Sequence, residues 1–238
     1  MSPVAACGLA TCPVPSPTPD LLDQLTATAW PAGTVLHRGV TVHHPDPTGM
    51  VPATGDTRFA PLPGVAHAYV ATTRFAALLE AAFHEAAPPS PRIYEAQFAR
   101  WVERAVTLTH DVGLVNLRDT ELARIGIDRG QLVATTATHY PCTRAWAQAI
   151  HGRTDDGQVL CGAVWDSRQR ELHARALGHL PALADLVDGH PAEVAVLWPP
   201  PSPTPLLDDV EGGLGPLDEG PGQAYIDDLV ALLGIVAH

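Results

Sequence analysis

The chain has 238 residues, of which 46% are hydrophobic and 17% charged, a composition that fits one globular domain or a domain and a half and excludes a disordered chain. Its 26 acidic residues against 14 basic ones give a net charge of −12, which argues against the clustered positive surface that nucleic acids or anionic membranes require. No apolar run approaches the roughly 20 residues that span a bilayer, and the Pro-rich start lacks a basic signal-peptide region, so a reducing cytoplasm is expected.

Residues 1–27 read as a flexible leader, because five of the first twenty residues are proline. Thr34–Val42 alternates like a strand, with Arg38 inside it. His67–Ala71 is a short strand. Thr72 or Thr73 then caps a helix running to about Ala87, where Pro88-Pro89 stops it. Arg92–Phe98 and Ala105–Thr109 alternate like strands, and Arg118–Ile125 suits a short helix. Pro141 and Gly152 bracket another helix, through Trp146 and Ile150. Val159–Trp165 is an apolar strand that delivers Asp166-Ser167-Arg168 to its end. From Pro199 to 238 the chain reads as an acidic Pro/Gly-rich linker and a terminal helix over Tyr225–Val236, with Tyr225, Ile226, Leu229, Val230, Leu232, Leu233 and Val236 as its apolar residues. The main domain is thus 28–198. Short strands mixed irregularly with short helices predict an α+β fold.

All 14 basic side chains are arginine, which excludes a lysine Schiff base and a P-loop lysine. There is no GxGxxG after a strand and no GxSxG, HExxH or EF-hand loop, so the common dehydrogenase, hydrolase and zincin classes are not expected. The four cysteines, Cys7, Cys12, Cys142 and Cys161, form no CxxC pair and their spacing matches no zinc module. Cys142 and Cys161 are expected to pack as small apolar residues, and no metal site is expected. His43-His44 reads as a surface turn, since adjacent strand residues point to opposite faces.

Polar residues in apolar surroundings mark the candidate site. Arg38 lies in TVLHRGVTV, Arg58 in GDTRFAPLPG, Tyr69 in HAYVATT and Glu80 in RFAALLEAAF. Glu80 sits beside an apolar helix stripe, where an ionised carboxylate wants a cation or a hydroxyl. Of the five serines only Ser167 does not precede a proline; it follows an apolar strand and is placed to donate to a ligand.

The ordered set HRG, GDTRF, AYVA, AALLEAAFHE, VNLRDTELARIGI and AVWDSR resembles the RES domain, the toxin component of RES–Xre toxin–antitoxin pairs. The resemblance covers about residues 30–198. It departs from the family's pattern at Gly39, where a large residue often follows the first arginine. The resemblance implies an ADP-ribosyltransferase-like mixed sheet with short helices and NAD⁺ as substrate rather than cofactor. It also implies cleavage of the nicotinamide–ribose bond, with water or phosphate as acceptor, and an Xre-type antitoxin as partner. It makes Glu80, Arg38 and Tyr69 the candidate catalytic residues and Arg58 and Ser167 the candidate substrate-binding ones. Glu80 would face the ribose, the arginines the pyrophosphate, Tyr69 the nicotinamide or ribose face, and Ser167 the nicotinamide end or the adjoining ribose. A transferase acting on a protein or small molecule, and an inactive binding module, are the competing readings. The apolar tail allows a homodimer.

Overall fold

The computed structural model describes residues 7–44, 50, 56–84, 92–93, 95–167, 169, 192–199 and 205–237. Its strands are β1 (Ala27–Trp30), β2 (Val35–Thr41), β3 (Ala68–Ala71), β4 (Arg92–Ile93), β5 (Trp101–Leu108), β6 (Val112–Asn116), β7 (Thr154–Asp155), β8 (Gln158–Asp166), β9 (Glu193–Leu197), β10 (Leu207–Asp209), β11 (Gly215–Pro216) and β12 (Val236–Ala237). The helices are α1 (Pro19–Leu22), α2 (Arg74–Glu80), α3 (Asp119–Arg124), α4 (Arg129–Leu132), α5 (Tyr140–Ile150) and α6 (Gly220–Leu233). Among the described residues no helix is long and apolar enough to cross a membrane.

One mixed sheet organises the molecule, in the order β1-β6-β8-β9-β3-β2-β5-β10, with β7 added to β8 and β11 to β5. Only β6 and β8 pair parallel within it. Their connection is accordingly the long one, and it carries α3, α4 and α5. The alternation along β8 and β9 divides the core. Leu160, Ala163, Trp165, Val194 and Val196 meet the helices, with Leu122, Leu132, Trp146 and Ile150. Cys161, Val164, Ala195 and Leu197 point the other way, into a cluster built from strands, with Trp30, Leu36, Val106 and Leu207. Strands from both ends of the order meet there, so the sheet is strongly coiled. The α+β expectation holds.

The two ends of the chain are more structured than their composition suggests. Val14 and Leu22 belong to the core, Thr18 caps α1 ahead of Pro19, and the Trp146 indole donates to the Pro15 carbonyl at 2.7 Å. From Cys7 onward the expected flexible leader is therefore packed. Its prolines serve an extended path, and its partners lie some 130 positions along the chain; residues 1–6 lie outside the described set. The acidic tail likewise adds β10 and β11 to β5. The terminal helix α6 begins before Tyr225 and ends before Val236, which joins β12, and Tyr225, Ile226, Leu229 and Leu233 bury against Phe75, Leu78, Leu79 and Phe83 of the α2 region. This helix completes a core.

Three local expectations need correction. Arg92–Phe98 is not one strand: β4 holds two residues, and Glu95–Arg100 is a 3-10 helix. The helix read from Thr73 ends at Glu80 and continues as turns to His84; its expected extension to Ala87 and the Pro88-Pro89 stop lie outside the described residues. Cys7 and Cys12 are packed against the core, not in a mobile segment.

Gly39 has a steric reason. A Cβ on it would stand 2.5 Å from the Ala81 Cβ, at the end of α2 and next to Glu80. A methyl fixed to a helix backbone cannot rotate away, so Gly39→Ala must push α2 off β2. The variant is expected to lose about 1–3 kcal/mol of stability, the usual cost of overpacking, measured as a drop in the urea midpoint. An unchanged midpoint would show that this contact does not hold α2.

Candidate functional site

Strands β2 and β3 pair at one position, His37 with Ala71. Beside that single bridge a cavity of about 460 Å³ opens, within the size range of small-molecule sites. Arg38, Arg58, Tyr69 and Glu80 all line it, together with His37, Thr57, His84, Trp101, Tyr140 and Trp165. Four of the five predicted residues, spread over forty-three positions, thus face one space.

Arg38 is buried on β2, one residue beyond the bridge. Arg58 comes from the loop before β3. It is only 6% exposed, donates through Nη2 to the Thr135 carbonyl at 3.1 Å, and sits 5.5 Å from the centre of the Tyr140 ring. The Arg58 carbonyl accepts from the Thr143 hydroxyl of α5. Asp56 also reaches the cavity, but Arg144 pairs with its carboxylate at 2.9 Å. The site therefore concentrates cationic groups inside an acidic protein.

Tyr69 holds the loop that carries Arg58. Its hydroxyl accepts from the Phe59 N–H at 3.0 Å and shares a hydrogen bond with the Thr57 hydroxyl, also 3.0 Å. Burial pushes the phenol above its ordinary range, so it stays neutral. Its ring stands edge-on to Trp165 at 6.2 Å and presents the remainder to the cavity.

Glu80 closes α2, which Thr73 starts by capping Ala76 N–H at 3.1 Å. The carboxylate finds the hydroxyl that its position demands: Ser167 Oγ donates to Oε1 at 2.5 Å, and the Gln169 N–H approaches the same oxygen at 3.4 Å. Ser167 is 2% exposed and does not appear on the cavity wall. The structure thus places it against Glu80. Arg168, beside it, lies outside the described residues.

Sequence reasoning missed three contributors. Tyr140 stands next to Pro141, which reads only as a helix start. His37 read as an ordinary strand residue, yet its Nδ1 lies 2.7 Å from Glu103 Oε1. Glu103 itself is fully buried in β5; it also accepts from the Leu214 N–H at 2.6 Å and faces Arg74 at 3.4 Å. Its period-2 register with Trp101 and Ala105 was the available signal.

His67, just before β3, feels the same cations. Burial first, then Arg38 and His44, hold its pKa below the ordinary 6.5. The unfolded chain then binds a proton that the folded one refuses. His67's contribution to stability is complete above pH 6.5 and is lost as pH falls towards the depressed value. Urea midpoints across pH 5–8 should fall more steeply on the acid side for the wild type than for His67→Gln; parallel curves would contradict this.

The fold and cavity define an α+β domain with two arginines and one hydroxyl-braced carboxylate around a small-ligand pocket. The RES domain model matches residues 33–204, well over half of the chain, and the chain belongs to the RES domain family. Among solved structures it is similar to the MbcT–MbcA toxin–antitoxin complex of M. tuberculosis, with a TM-score of 0.54 and 12% sequence identity, covering 89% of this chain and 94% of that one. At that identity the likeness speaks for the fold. No curated protein sequence matches the chain.

Proposed function

We propose that the chain is a toxin-type enzyme that breaks the nicotinamide–ribose bond of NAD⁺ in the cavity beside the β2–β3 bridge. The observation that carries this reading is the joint facing of Arg38, Arg58 and Glu80 onto one pocket. The substrate's pyrophosphate is doubly negative, and arginine meets phosphate with a planar fork of donors. Nicotinamide departs with the electron pair of the C–N bond, leaving positive charge spread over the ribose carbon and ring oxygen. A fixed carboxylate next to that sugar stabilises the charge, as in glycosidases. Glu80 supplies it, and the Ser167 hydroxyl fixes its direction. Tyr69, Tyr140 and Trp165 offer aromatic surface for planar rings. Water or phosphate then adds to the ribose carbon, giving ADP-ribose and a proton, or an ADP-ribose phosphate ester.

Family membership and the antitoxin-bound structural neighbour support a protein partner that restrains the activity. We assign it to the Xre type on the family resemblance. The test is co-expression: growth arrested by the chain alone should recover with a neighbouring Xre-type protein, which should co-purify with it. Supplying phosphate to the purified enzyme separates the acceptors. A rate that rises with phosphate and yields the phosphate ester marks a phosphorylase; an indifferent rate marks a hydrolase. Appearance of ADP-ribose on protein instead would assign a transferase.

A further inference from the structure

Far from one another in sequence, Cys7, Cys12 and Cys142 bring their sulfurs within 4.8 Å of one another. All are free thiols. The Cys12 and Cys142 sulfurs are 3.6 Å apart, and Cys12 Sγ lies 3.4 Å from Nδ1 of His139. A tetrahedral zinc ion with bonds of about 2.3 Å to sulfur and about 2.0 Å to nitrogen has edges of about 3.8 Å and about 3.5 Å between its ligands. The two contacts fit those edges.

The cluster is also shaped around sulfur. His139 ends the 3-10 turn just before α5 and Cys142 is the third residue of α5, and the Cys12 sulfur reaches both. Cys7 and Cys12 come from the packed N-terminal segment, where Gly8 takes φ 71° between them. The Cys7 N–H donates to Cys142 Sγ at 3.2 Å, as backbone amides do around metal-bound thiolates.

We propose that Cys7, Cys12, Cys142 and His139 form a structural zinc site. Three soft thiolates within 4.8 Å of one another, with an imidazole beside one of them, favour this ion. The ion displaces three thiol protons to solvent and takes a lone pair from neutral His139, leaving the site with one net negative charge. It ties the N-terminal segment to α5, whose first residue is Tyr140 of the cavity. The site is separate from the NAD⁺ reading and stands or falls without it.

The experiment uses the full chain, purified with reduced thiols and without chelator. Elemental analysis should find one zinc per chain. Cobalt(II) added to metal-free protein should give the intense visible bands of tetrahedral cobalt and a thiolate-to-cobalt charge-transfer band, saturating at one equivalent. Cys7→Ser and His139→Gln, both at half-buried positions, should weaken cobalt at least about tenfold, and Cys12→Ser with Cys142→Ser should remove the bands. Cys161→Ser, in a different part of the core, should leave them unchanged. A weak octahedral spectrum with four freely reactive thiols in the wild type would overturn the proposal, and so would a Cys12–Cys142 disulfide with no metal. Both readouts come from the wild type, so a variant that fails to fold does not protect the idea.

Discussion

Glu80→Gln should lose about 10²–10³-fold in NAD⁺ cleavage while remaining folded, the usual effect of removing one preorganised electrostatic partner of the transition state. Glutamine keeps the length and planarity of the side chain. Its carbonyl still accepts from Ser167, so the local arrangement at the end of α2 survives. What disappears is the negative charge facing the developing cation on the ribose. Loss should therefore appear mainly in kcat, with KM little altered, because the arginines still hold the pyrophosphate. Arg58→Ala should show the converse, a raised KM, since its guanidinium is held by the Thr135 carbonyl and the Tyr140 ring at the pocket wall. Nicotinamide release at several NAD⁺ concentrations, with a thermal melt of each variant, separates the two. A fully active Glu80→Gln enzyme would remove the carboxylate from the chemistry.

The second large effect concerns stability. Glu103→Ala should lose about 3–5 kcal/mol, the cost of removing one partner from a buried ionic group and stranding the others. Glu103 is completely enclosed and serves His37, Arg74 and the Leu214 N–H at once. Each comes from a different element: β2, the first turn of α2, and the segment leading into β11. The carboxylate thus fastens the tail to the sheet and holds a cavity histidine. Its loss is a large share of the roughly 5–15 kcal/mol that a domain has in total. Glu103→Gln, which can still accept from Leu214, should fall between wild type and alanine. Urea denaturation gives the ranking. A change below about 1 kcal/mol for alanine would mean that the three partners find other acceptors.

The candidate site was legible because its residues carry their own local contradiction. An acid at position 80 beside Leu79, an arginine inside the apolar strand at 38 and another beside Phe59 are expensive unless used. Their order and spacing added the family resemblance. Ser167 was legible as a residue but not as to what it faces, since only the fold brings β8's end to α2. Glu103 lies two residues before the strand that alternation marks from Ala105, and only extending that strand back to Trp101 brings out its register. The ends of the chain were misread for a related reason. Proline density says that a segment lacks regular structure, not that it lacks partners. The partners of Pro15 and Cys12 sit on α5 or beside it, more than a hundred residues away. The close approach behind Gly39 is equally invisible before α2 is docked.

The most direct measurement is nicotinamide release from NAD⁺ by the purified 238-residue chain, with and without phosphate. Steady release that Glu80→Gln abolishes is the expected result. A folded wild-type protein that binds no NAD⁺ by calorimetry and frees no nicotinamide under either condition would contradict the account.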